Sequence, residues 1–294
     1  MKTRIASSML VAVAAVTIFS AQLAQAGHIV DIDATTLGVA DGTVIGSIAN
    51  PGSAGVFTTV TGTVVAASHA PNQGGTPIQG LGFGGSKMQS AITPGSLGLT
   101  GNATHSVRAW VFNPAFGGEE AVVAWGRRGG PDGTNNGFHQ GDHTAFGANG
   151  HWGGVHDTPW GNGADDIDAT IGVWANLTWT YDSATNTQTN YIDGVHSVTE
   201  VYGTPLNTHD EGLFFSLGSE NETNQANTPI AFSGTIARVQ VYNTLLSDAE
   251  VLAAYNDEAV FFETGVRIPE PGTFVLAVLG LIGVVSSYRR RRSR

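Results

Sequence analysis

The chain contains no cysteine, so it has no disulfide framework, thiolate metal site or thiol nucleophile to draw on. Basic residues are almost as scarce. Of 13 Lys and Arg in 294 residues, Lys2 and Arg4 stand at the N-terminus and Arg289 to Arg292 with Arg294 at the C-terminus, leaving six between. All 24 Asp and Glu lie between Asp31 and Glu270, so six basic against 24 acidic residues give this middle part a net charge of −18 with His neutral. Such a body is repelled by phosphate backbones, which argues against nucleic acid as a partner. No P-loop, nucleophile elbow or zinc-protease motif occurs, and no internal repeat. Without disulfides, stability has to come from packing, and roughly 240 residues are enough to bury an adequate core.

Glycine, by contrast, is abundant at 40 residues. Alternation of apolar and polar residues recurs at short intervals: Ser106 to Phe112, Ala121 to Trp125, Trp174 to Tyr181, Thr189 to Ile192, Leu213 to Leu217 and Thr235 to Tyr242. Each run is bounded by Gly, Asn, Asp or Pro, which predicts an all-β sandwich. His28 to Asp33 reads as a first strand and Ile78 to Gly84 as another, with loops or edge strands over Asn50 to Thr76. One short, surface-packed helix is expected after Ser247-Asp-Ala-Glu250, a capping box ahead of Val251, Leu252 and Tyr255.

Both ends carry targeting signals. Lys2 and Arg4, the apolar stretch Met9 to Phe19 and Ala24-Gln25-Ala26 predict a secretory signal over residues 1–26, removed before Gly27. At the other end, Pro269-Glu270-Pro271 precedes an uncharged run from Phe274 to Val285 and then Arg289, Arg290, Arg291 and Arg292. Thr273 to Tyr288 covers about 24 Å as a helix, short of the ~30 Å hydrocarbon core, but the arginine flank marks the cytoplasmic end of a span. The body of the chain then lies outside the inner membrane. Triplet, span and arginine cluster, in that order, resemble the PEP-CTERM sorting signal of Gram-negative bacteria that make exopolysaccharide. The resemblance implies that an exosortase-type membrane protease acts at the triplet, so that the chain is held transiently in the inner membrane and then passes to the cell surface or extracellular matrix. A permanent single-span anchor is the alternative.

A second resemblance covers the body. Gly234-Thr-Ile-Ala-Arg-Val-Gln-Val-Tyr-Asn243 with Leu246-Ser-Asp-Ala-Glu250 and Tyr255 is similar to the closing strand and helix of concanavalin A-like, laminin-G-type (LamG-type) jelly rolls. Trp174-Ala-Asn-Leu-Thr-Trp-Thr-Tyr-Asp182 resembles the central strand of that family, and Tyr191-Ile-Asp-Gly194 its next hairpin. The expected organisation is a signal peptide over 1–26, a concanavalin A-like jelly-roll β-sandwich over 27–263, and a sorting signal with a transmembrane helix over 264–294.

Candidate site residues come from three clusters. Arg108 and Trp110 share one face of their strand, opposite Val107, Ala109 and Val111. If the aliphatic side is the core, Arg108 and Trp110 face a groove where, with Trp152 and Trp160, they could stack sugar rings; otherwise Trp110 is a core residue covered by loops. Trp125, Trp174 and Trp179 are assigned to the core. Gly137 to Asn162 holds four of nine histidines within eighteen residues, His139, His143, His151 and His156. Imidazole beside carboxylate suits a transition metal. On one strand, however, His139 and His143 would stand about 13 Å apart, and polar loop residues are the competing reading. Asp165, Asp166 and Asp168 could bind calcium, which jelly rolls of this superfamily often carry at the sheet rim. Glu119 and Glu120 cannot be a glycosidase dyad, because adjacent strand residues point to opposite faces. The expected function is non-catalytic binding of polysaccharide or surface protein, with a polysaccharide-degrading enzyme or a purely structural matrix protein as alternatives.

Overall fold

The computed structural model describes residues 27–115, 118–129, 134–143, 146–151, 156–160, 165–209, 211, 213–222 and 227–267. The signal segment 1–26, the sorting segment from Pro269 to Arg294 and Trp152 lie outside them. Among the described residues no helix is long and apolar enough to cross a membrane.

In chain order the strands are β1 (His28–Asp33), β2 (Ser47–Ile48), β3 (Phe57–Thr61), β4 (Val65–His69), β5 (Ile78–Gly82), β6 (Lys87–Ser90), β7 (His105–Phe112), β8 (Ala121–Gly126) and β9 (Asn135–His139). They continue with β10 (Asp142–His143), β11 (Phe146–His151), β12 (His156–Pro159), β13 (Trp174–Asp182), β14 (Thr187–Ile192), β15 (Val195–Val201), β16 (Ser216–Leu217) and β17 (Thr235–Tyr242). Helix α1 (Asp165–Asp168) is a single turn, and α2 (Asp248–Thr264) has 17 residues.

Two antiparallel sheets face each other. The first runs β15-β14-β13-β7-β17-β5-β4, and β17 shares one edge between β5, through Thr235 and Ile236, and β1, through residues 238–242. The second runs β10-β11-β9-β8-β16-β6-β3-β2, with β12 added on β11. Strand alternation fills the space between them. Val107, Ala109 and Val111 of β7, Leu177 and Trp179 of β13, and Val239 and Val241 of β17 meet Val123 and Trp125 of β8, Phe138 of β9 and Leu217 of β16 in one buried cluster. Each fully buried side chain of this size contributes about 1.5–3 kcal/mol. The β14–β15 hairpin turns on Asp193 and Gly194, both at positive φ (+50° and +73°), as an Asp-Gly turn requires. A side chain at Gly194 would also strike Tyr255 of α2, 2.9 Å away.

Three expectations need correction. The stretch expected to be loops or edge strands contains β3, which lies inside the second sheet between β6 and β2, although β4 is at an edge. The Gly137 to Asn162 segment is largely strand, β9 to β12, because antiparallel pairing satisfies its backbone despite the glycines. The helix starts at the predicted Ser247 cap, with both capping-box bonds present, but continues to Thr264. It is therefore long enough to cover much of a sheet face.

Candidate functional site

Helix α2 lies on the outer face of the first sheet. Its Phe262 and Tyr255 stack on Trp110, with ring centroids 3.9 and 5.7 Å away, and a second apolar cluster of Ile78, Trp110, Trp174, Ala237 and Phe262 forms beneath it. Glu258 points into this cluster. It accepts Trp110 Nε1–H (2.6 Å), Arg108 Nη2–H (2.8 Å) and Arg238 Nη1–H (2.5 Å), while Arg108 also donates to Gln240 Oε1 (2.8 Å) and to Ala254 O (3.0 Å). Arg108 and Trp110 do share the face opposite the aliphatic residues. That face is filled, leaving Trp110 1% and Arg108 5% exposed, so the expected groove is occupied by the protein's own helix.

Among the described residues, no such helix lies on the outer face of the second sheet. Met88, Phe138 and Leu217 point inward, so Lys87, Gln89, Asn135, Gly137, His139 and Ser216 face the other way. The segment after β16 folds back over this face, held by Arg128 N–H to Asn221 O (2.8 Å), Glu220 N–H to Pro229 O (3.1 Å) and Ser219 Oγ–H to Pro229 O (2.8 Å). It delivers Glu220 to the centre. Glu220 Oε1 accepts Asn135 Nδ2–H (2.9 Å) and meets His139 Nε2 at 2.8 Å, and its Oε2 pairs with Arg128 Nε at 2.9 Å. Gly137 makes room for this arrangement, since a Cβ there would come within 2.3 Å of both Glu220 Oε1 and His139 Nε2.

Around that centre, Gln89 Nε2 donates to Asn221 Oδ1 (3.4 Å), and Lys87 Nζ donates to Asn227 O (2.6 Å). Desolvation brings the Lys87 amine down to about 8, with Glu222 opposing the shift. Arg128 and Glu222 are the solvent-reaching members, their side chains 24% and 33% exposed. Asn135 Oδ1 is buried and accepts no hydrogen bond among the described residues. Asn135, His139 and Glu220 are themselves buried (1%, 3% and 2% exposed), so the cluster meets solvent through Arg128 and Glu222, a guanidinium and a carboxylate of the kind that can bond hydroxyl groups.

The other sequence candidates fall elsewhere. Trp160 is fully buried, edge-on to Phe138, with its N–H on His139 O (3.0 Å), so it packs the core instead of offering a stacking face. Trp125 and Trp179 occupy the main core and Trp174 the cluster under α2. His139 and His143 sit on different strands, β9 and β10. Asp165 to Asp168 form α1 instead of the expected loop, and Asp168 is exposed. Among the described residues no group of three His, Asp or Glu is placed to hold a metal ion. Glu120 is a fastening residue, accepting Asn113 Nδ2–H and Ser233 N–H at 2.8 Å each. Sequence reasoning found His139 but missed Arg128, Asn135 and Glu220. The alternation Asn135-Asn-Gly-Phe-His139 was available as a signal, for it sets Phe138 inward and three small or polar residues outward.

The family described as the concanavalin A-like lectin/glucanases superfamily, laminin G type, matches residues 84–252, more than half of the chain. The PEP-CTERM protein-sorting motif matches residues 267–292 and implies export through the membrane to the cell surface with exosortase-dependent processing. Among solved structures, domain 4 of AbnA, a GH43 extracellular arabinanase from Geobacillus stearothermophilus, in complex with arabinotriose, is similar at 15% identity and a TM-score of 0.50. The match covers 77% of this chain and 97% of that one. The CBM40 of the Ruminococcus gnavus IT-sialidase is similar at 16% identity and a TM-score of 0.44, covering 65% and 96%. No curated protein matches the sequence.

Proposed function

The chain belongs to the concanavalin A-like lectin/glucanases superfamily, and on that premise we propose that its exported jelly roll binds an extracellular glycan, without turning it over, on the outer face of the second sheet. The observation that carries this reading is Glu220, clamped by Arg128, His139 and Asn135 above Gly137. On the first sheet α2 covers Trp110 and Arg108, whereas on the second Arg128 and Glu222 reach solvent beside the buried Glu220. The arabinanase domain of the same fold was solved with arabinotriose, so the fold accommodates a saccharide. Trp152, outside the described residues, follows His151 in sequence and is the aromatic retained for stacking. Domain limits of 27–263 between a signal peptide and the sorting tail belong to the same reading, which takes the protein to the cell surface or matrix.

Glycan-array screening followed by calorimetry tests it. The wild type should bind at least one polysaccharide without releasing product. Arg128→Ala should weaken that binding by about tenfold or more, as the loss of a charge-assisted contact does, and Trp152→Ala should cost on the order of 1–3 kcal/mol. Gly137→Ala should abolish binding by displacing Glu220 and His139. Retained affinity in Arg128→Ala and Gly137→Ala, both still folded, would remove this face from consideration, and release of shortened saccharide would make the protein an enzyme.

A further inference from the structure

The last described residues are fastened to the domain. Helix α2 closes on Gly265, at φ +72°, whose N–H bonds Phe261 O at 2.7 Å. Two carbonyls that the end of a helix leaves open, Phe262 O and Glu263 O, accept the backbone N–H groups of Asn72 (3.1 Å) and Gln73 (2.8 Å) from the β4–β5 connection. The approach is so close that a Cβ at Gly75 would lie 2.2 Å from Thr264 O. Beyond the cap, Arg267 folds back onto the domain. Its guanidinium sits 4.5 Å from the Phe261 ring centroid and 3.9 Å from Asp33 Oδ2, and bonds Thr35 Oγ1. Asp33 ends β1 and also pairs with Arg238 at 3.2 Å, so the first strand, the closing strand and the root of the tail converge there.

Chain length gives this anchoring a consequence. Ile268 alone separates Arg267 from the Pro269-Glu270-Pro271 triplet, so at most about 7 Å of extended chain lies between the anchored residue and Pro269. From Arg267 to Phe274, where the uncharged run begins, seven residues reach at most ~25 Å. An enzyme acting at the triplet from the membrane therefore works against the domain surface. It cannot draw Val266 to Ile268 into an extended substrate conformation while Arg267 rests on Asp33 and Thr35.

Taking the sorting motif as given, we infer that the face formed by Asp33, Thr35, Asn72, Gln73 and Arg267 is the one that meets the membrane protease, and that Arg267 must leave Asp33 and Thr35 before the tail is cut. The clasp combines a half-exposed ion pair with a cation–π contact, both individually weak, so its opening costs a modest factor in rate.

The experiment follows precursor conversion by pulse labelling, using the full chain in a bacterium that carries an exosortase-type protease. Arg267→Ala should speed conversion about three- to tenfold, the weight of one exposed ion pair plus one cation–π contact. Six Gly-Ser residues inserted between Arg267 and Ile268 leave the clasp closed but supply slack, and should speed it similarly. An unchanged melting temperature in both variants would show that the gain comes from access and not from unfolding. Unaltered rates in both, with the wild type processed, would overturn the clasp. A wild type that is never processed would instead overturn the sorting reading, and the clasp with it.

Discussion

Removing Glu258 should be among the most damaging single truncations outside the main core, and its cost can be worked from its partners. The carboxylate is 13% exposed and takes bonds from Arg108, Arg238 and Trp110. In Glu258→Ala, Arg108, with its side chain 6% exposed, keeps only the neutral acceptors Gln240 Oε1 and Ala254 O, and the Trp110 N–H loses its acceptor under Phe262. Breaking one side of a buried pair costs about 3–5 kcal/mol, because the remaining charge stays desolvated. Arg238 is a quarter exposed and adds little. For a domain of this size each kcal/mol moves the melting temperature by about 2–4 °C, so a fall of roughly 6–20 °C is expected. Arg108→Met combined with Glu258→Leu removes both charges and should recover much of that loss, giving a coupling of several kcal/mol in a double-mutant cycle from urea unfolding. A loss below about 1 kcal/mol, or strict additivity, would refute the buried-pair argument. Glycan affinity of the folded Glu258→Ala fraction should be unchanged, since the proposed site is on the other sheet. Lost affinity at unaltered stability would return the site to Arg108 and Trp110.

Two pH effects follow from buried bases. Burial takes His105 down to about 4 from an ordinary 6.5, so only the unfolded chain binds its proton between those values; the contribution of His105 is complete above pH 6.5 and is lost as pH falls towards 4, about 3 kcal/mol in all. Urea unfolding from pH 4 to 7 should show this slope, and His105→Gln should flatten it. Lys87 acts with the same sign in a higher window. Its folded amine titrates near 8 and its unfolded one at 10.5, so the burial penalty is constant below pH 8 and is relieved as pH rises from there towards 10.5. Wild type should gain stability between pH 8 and about 10, before the buried tyrosines, whose hydroxyls are pushed up, begin to oppose it. Lys87→Met should lose that gain, and a wild-type curve flat over this window would refute the assignment.

Much of the sandwich was readable because its strands alternate against one apolar interior. Thr235 to Tyr242 is recovered residue for residue, and Ser106 to Phe112 misses only His105. Legibility failed where side chains are small or polar on both counts. Asn135 to His139 has one large apolar residue, Phe138, so its strand character comes from pairing with β8 and β11, which involves residues distant in sequence. Leu213 to Leu217 shortens to Ser216–Leu217 for a related reason, because only those two residues pair with both β6 and β8, Phe215 bonding Ser90 of β6 alone. Only the Asn135 to His139 side of the Glu220 cluster had a local pattern: Arg128 and Glu220 join it only after β16 and its returning segment cross the sheet.

The misplaced groove was, by contrast, open to correction from the sequence. Val251, Tyr255, Glu258 and Phe262 recur at spacings of four, three and four, the stripe by which one face of a helix is buried. A glutamate inside such a stripe is costly unless a cation waits on the surface it covers. The domain has only six cations, and two of them, Arg108 and Arg238, stand on strands at positions opposite the aliphatic face. Matching the one buried-stripe acid to those arginines lays α2 across Trp110 from the sequence alone.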